Sequence, residues 1–129
     1  MQQKEEFWYK HMEVWNDGIA YSSLIISLTE GIAPHMRSKG VLAKIEKAAM
    51  NVPAKIAYGK AMGQSFGYLK ALRQAEGNVH MLSSYLHLMR QLKWISASEF
   101  VQLEKEGLRL ARKISSLIVI LQILLENGN

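Results

Sequence analysis

Hydrophobic positions in this chain recur at three- and four-residue steps almost throughout, the spacing that gathers side chains on one side of an α-helix. From Trp8 to Glu30 the line runs through Trp8, Met12, Trp15, Ile19 and Ile26 and predicts a first helix over 8–30. Gly31, Pro34 and Gly40 then punctuate a loop, because Pro blocks helix propagation through its missing N–H. A second helix, 41–61, follows the seam Leu42, Ile45, Ala49, Val52, Ile56 and Gly59. Pro53 sits inside it and predicts a bend near 49–52. Gly59, Gly63 and Gly67 recur every four residues, which marks either a turn or a close approach of two backbones, and a short turn is placed around 61–65.

The third helix, 65–92, carries Leu69, Leu72, Ala75, Val79, Leu82, Leu86 and Met89 in alternating four- and three-residue steps suited to bundle packing. Trp94-Ile95-Ser96 closes it. Ser96 followed by Glu99 reads as a capping box, the hydroxyl accepting a free N–H while the carboxylate reaches back. The fourth helix, 97–125, follows Phe100, Leu103, Gly107, Leu110, Ile114, Leu117, Leu121 and Leu124. With no alternating strand pattern and no internal repeat, the expectation is an all-α, antiparallel up-down four-helix bundle forming one domain over 1–129. Near its end Leu117, Ile118, Val119, Ile120 and Leu121 cannot all face one core. These five are expected at an interface between copies of the chain, making it a homo-oligomer.

Composition narrows the chemistry. The absence of Cys excludes disulfides, Cys-ligated zinc, iron–sulfur clusters and a thiol nucleophile, and makes the reducing cytoplasm the expected compartment. MQQKEEFWYK is too charged for a signal peptide, and the apolar run from Leu117 to Leu125 falls well short of the roughly 20 residues that cross a bilayer, so no membrane role is expected. Sixteen Lys and Arg against eleven Asp and Glu give a net charge of +5. The excess is local: residues 41–95 hold eight basic and two acidic groups, while the flanking segments are balanced or slightly acidic. Uncompensated basic surface of this kind raises affinity for RNA or DNA through counterion release.

Lys44, Lys47 and Lys55 fall on one side of the second helix, roughly 120° from its apolar seam at 100° per residue, so they can be solvated while the seam is buried. Lys60, Arg73, Arg90 and Lys93 extend the candidate nucleic-acid-binding set, and Lys70 adds further charge, with few carboxylates nearby. An ordinary solubilising face would look similar in a monomer; copying the patch around an oligomer lets many cations act on one polyanion. Lys105, Arg109 and Arg112 form a further stripe with Glu104 and Glu106 beside it, which points to surface pairing. Phe7, Trp8, Tyr9 and Trp15 read as packing anchors.

Gly63-Gln64-Ser65-Phe66-Gly67 matches the G-x-S-x-G of a hydrolase nucleophile elbow, with Glu76 and His80 following in a workable order. That motif needs a strand before it, and none is predicted, so Ser65 reads instead as the N-cap of the third helix and no catalytic residue is assigned. His80 and His87 are seven residues apart, about 10 Å along a helix, too far to share a metal. No metal or cofactor is expected, and with Arg73 the two form a stripe that could meet phosphate.

Met12-Glu13-Val14-Trp15, the run Val52-Pro53-Ala54-Lys55-Ile56-Ala57-Tyr58-Gly59 and a Leu-rich helix closing before Ser96-x-x-Glu99 resemble, over about residues 12–121, the four-helix-bundle proteins encoded in intervening sequences of 23S ribosomal RNA genes and their relatives, the accessory variability determinants of diversity-generating retroelements. The resemblance implies a homopentameric barrel and no catalytic residue; in the retroelement branch it implies nucleic-acid binding and a reverse transcriptase partner. The intervening-sequence motif usually reads Ile-Pro-Ser-Asn-Ile-Ala-Glu-Gly. Lys55 stands where Asn is usual and Tyr58 where Glu is usual. Both departures lean toward the nucleic-acid-binding branch, while an intervening-sequence protein or a protein-interaction module without a nucleic-acid role is the alternative.

Overall fold

The computed structural model describes residues 12–32 and 40–127. Four helices follow one another: α1 (Glu13–Glu30), α2 (Val41–Lys60), α3 (Phe66–Gln91) and α4 (Ala97–Asn127), with no strand among the described residues. The start of the first expected helix (8–11), Phe7, Trp8, Tyr9 and Pro34 lie outside them. Each helix packs on its chain neighbours, and α4 closes the ring on α1. The ring is antiparallel. Thr29 at the end of α1 bonds Glu46 near the start of α2, Gly59 near the end of α2 abuts Tyr68 and Ala71 near the start of α3, and Ser83 late in α3 bonds Glu104 early in α4. Lys113 of α4 meets Glu13 and Asp17 at the start of α1.

The expected seams of α2 and α3 are buried residue for residue. Pro53 leaves α2 unbroken over 41–60; it is buried where α2 meets Gly18 of α1. The seam of α1 differs from the expectation. Ile19 is exposed and Trp15 and Ile26 are only half-buried, while Val14, Gly18, Tyr21, Ser22, Ile25 and Thr29 face the core. Partners on neighbouring helices make this polar line buriable: Tyr21 lies against Gly107 of α4, where a Cβ would come within 2.8 Å of the phenol oxygen, and the Thr29 hydroxyl donates to Glu46 at 2.8 Å. Burial, followed by the nearby Glu104 carboxylate, raises the pKa of Tyr21 and keeps its phenol protonated.

The helix ends follow local chemistry. Ser65 is the N-cap of α3, its hydroxyl accepting the Tyr68 N–H at 3.1 Å. Ser96 and Glu99 form the expected capping box, Glu99 N–H to Ser96 Oγ at 3.0 Å and Ser96 N–H to Glu99 Oε1 at 2.8 Å; a cap of this type contributes about 1 kcal/mol. Helix α3 ends in a Schellman turn, with the Trp94 N–H reaching Met89 O at 2.9 Å and the Lys93 N–H reaching Arg90 O at 3.1 Å. Lys93 takes the left-handed position at φ 63°, where glycine is usual.

Helix α4 corrects the reading of the distal apolar stretch. Its core face carries Leu103, Gly107, Leu110, Ala111, Ile114, Ile118 and Leu121. Ile118 and Leu121 are thus packed inside the protomer, Leu117 is half-buried, and Leu124 is exposed. Val119 and Ile120, with Ile123 and Leu124, are what this end of α4 leaves open. At 100° per residue Val119 and Ile123 lie on the same outer line as exposed Val101 and Leu108, well away from the core face. No described helix is long and apolar enough to cross a membrane.

Candidate functional site

The cations gather where α2 and α3 lie side by side. Gly59 faces α3 and Pro53 and Ile56 face α1, so Lys44 and Lys55, about 20° apart by helix geometry, share the edge of α2 next to α3. Lys47 lies some 60° further round, on the outer face. Lys44 and Lys47 are exposed and Lys55 half-buried, its ammonium 5.8 Å from the centre of the Tyr58 ring. The Gly59 contact sets the register of the antiparallel pair, bringing Lys55 and Lys60 level with Arg73 and Lys70. Lys60 packs its ammonium 5.7 Å from the Tyr68 ring centre. Arg90 and Lys93 are exposed but stand apart, Arg90 about 25 Å along α3 from Arg73 at 1.5 Å per residue.

One of the two acidic residues of these helices is turned away from that edge. Glu46, half-buried, accepts the Thr29 hydroxyl on the α1 side. Glu76, half-buried, lies one helical turn before Val79 and His80, which line the groove between α3 and α4, and one turn after Arg73, about 60° round the helix from it. Lys44, Lys47, Lys70 and Arg73 form no ion pair among the described residues. The outer surface of the α2–α3 layer therefore carries an excess of positive charge, which is the arrangement that releases counterions when a polyanion binds.

Other sequence candidates settle elsewhere. Ser65 commits its hydroxyl oxygen to capping α3, and no strand precedes it among the described residues. His87 turns toward α4, its ring edge-on to Phe100 at 4.7 Å and its Nε2 3.6 Å from Glu104, so it does not continue an Arg73–His80 line outward. His80 is exposed, and no metal-competent cluster of His or carboxylates occurs among the described residues. The pairing expected for Lys105, Arg109 and Arg112 is absent among the described residues; of the two neighbouring carboxylates, Glu104 points inward to Ser83 and His87. The α4 cation that does pair is Lys113, whose pKa is raised by its hydrogen bonds to Asp17 and Glu13.

One exposed aromatic residue was not singled out by the sequence, Phe66, 73% exposed on the first turn of α3; a second, Tyr58, 62% exposed on α2, stood out only as a departure from the family motif. The signal was present, since Phe66 stands opposite the middle of the seam, Ala75, Leu82 and Leu86, by helix angle, but a lone ring beside a Ser N-cap carries little weight without knowing what flanks it. A model of the 23S rRNA-intervening sequence protein family matches residues 10–116. No curated protein matches the chain.

Proposed function

From the chain's membership of the 23S rRNA-intervening sequence protein family, we propose that it is a non-enzymatic scaffold that self-associates and holds RNA or DNA on the outer faces of its α2–α3 layers. The observation that carries this reading is the cationic layer in which Lys44, Lys47, Lys70 and Arg73 form no ion pair among the described residues. Contacts through Lys44, Lys47, Lys55, Lys60, Arg73, Arg90 and Lys93 would neutralise phosphates and read no bases, so binding is sequence-tolerant. The exposed Val119, Ile120, Ile123 and Leu124 support assembly, a pentamer by resemblance, because a contiguous apolar patch of this kind is covered by protein in most soluble proteins.

Filter binding to generic RNA at 50 and 200 mM salt tests the reading. Engagement of six or more phosphates predicts a loss of affinity of about 10³-fold between the two. A salt-independent affinity, or none at low salt, would instead favour a module that recruits an acidic protein. Lys55 and Tyr58, in place of Asn and Glu, favour the retroelement branch, in which the particle serves a reverse transcriptase; co-purification with such an enzyme encoded beside the gene tests that partner.

A further inference from the structure

Phe66, Lys70, Arg73 and Gln74, with Leu69 at the floor, line a shallow depression of about 510 Å³ on the outer side of α3. Positions 66, 70, 73 and 77 lie on one face at 100° per residue, so an open ring is followed by two cations about 6 and 10 Å further along the helix. Gly77 continues the face with open space above its Cα, since a Cβ there would meet nothing within 4 Å. Across the turn, Tyr58 points outward from the last turns of α2 with the Lys55 ammonium over its ring. Both rings thus stand at the same end of the same layer, each next to cations. Among the described residues neither ring is covered by another aromatic.

Duplexes hide the faces of their bases in the stack and offer this surface only phosphates. A single strand also offers flat π faces, and an aromatic ring beside a cation binds both parts of a nucleotide at once. We propose that Tyr58 and Phe66 are stacking platforms and that the α2–α3 layer selects single-stranded over double-stranded nucleic acid, with Lys55, Lys70 and Arg73 holding the phosphates between the stacked bases. The inference rests on the reading that this layer binds nucleic acid, and adds which form it binds. The rings supply base contact without hydrogen-bond readout, so preference among sequences stays weak.

The test measures affinity of the full-length protein for a 20-nucleotide RNA, for the same strand in a duplex, and for the DNA strand of the same sequence. Wild-type protein is expected to favour the single strand. Phe66→Ala and Tyr58→Ala should each weaken single-strand binding about tenfold, with RNA and DNA alike, and leave duplex affinity and the salt slope unchanged. Phe66→Trp should retain or improve it. Both positions are exposed, so circular dichroism should show the same helix content for every variant. Equal losses on single strand and duplex, or no loss on either, would overturn the stacking assignment while leaving phosphate binding in place. Failure of the wild-type protein to bind any of the three would overturn both readings.

Discussion

Changing Lys44, Lys47 and Lys55 together to Glu is expected to abolish nucleic-acid binding and leave the oligomer intact. Each phosphate neutralised contributes about 0.7 to 0.9 to the slope of log K against log salt, so three lost contacts should flatten the slope by about 2. Reversal goes further than removal, because the same edge of α2 would then repel the strand. The combined loss at low salt should exceed about 100-fold. Folding should survive: Glu and Lys have similar helix propensity, and Lys44 and Lys47 are exposed. Lys55 is half-buried beside Tyr58, and losing that cation–π contact costs about 0.5–1 kcal/mol. Filter binding and sedimentation of the same preparation check both halves. Wild-type affinity in a correctly assembled triple variant would show that the strand lies on another surface.

Enlarging Gly59 should disturb the bundle more than any change on its surface. A Cβ at this position would lie 2.8 Å from both the Ala71 Cβ and the Tyr68 Cδ1. The Ala71 methyl is fixed by its backbone and cannot swing aside. Helix propensity favours Ala over Gly by up to about 1 kcal/mol, yet overpacking of this kind costs about 1–3 kcal/mol, so Gly59→Ala should be destabilising on balance and Gly59→Val by about 3 kcal/mol. Gly77, on the outer face of α3, where a Cβ would meet nothing within 4 Å, is the internal control. There Gly77→Ala should stabilise by about 0.5–1 kcal/mol. Thermal unfolding reads the difference at roughly 4 °C per kcal/mol for a domain of this size. If the two alanine variants moved Tm in the same direction, the close approach of α2 and α3 at Gly59 would be wrong.

Those two helices were legible in the sequence because aliphatic side chains alone draw their seams: Leu42 to Ile56 and Leu69 to Met89 are buried as their spacing says. Helix α1 was not. Its core line contains Gly18, Ser22 and Thr29, and a buried threonine makes sense only once Glu46 of another helix is known to accept its hydroxyl. In α4 the run 117–121 looked like one patch, whereas helical rotation divides it between the protomer's own core, at Ile118 and Leu121, and its outer surface, at Val119 and Ile120. For the site, the count of cations and the common side of Lys44 and Lys55 could be read directly. That Glu46 turns away from them could not, because it depends on which neighbour each flank of a helix meets. Nor could the value of Tyr58 and Phe66, which comes from the cations that the α2–α3 register places beside them.

The ring of helices is not equally tight all the way round. Helices α2 and α3 pack most closely on each other, while α1 touches α4 most sparsely, along a seam that Lys113 spans with an ammonium shared between Glu13 and Asp17. Solvent-accessible ion pairs hold little free energy and lose part of it as ionic strength rises. Partial opening should therefore begin there, with α1 amides exchanging with deuterium earlier than those in the middle of α3. The element that frays first would then be one outside the proposed grip, and the strand-holding layer would outlast it.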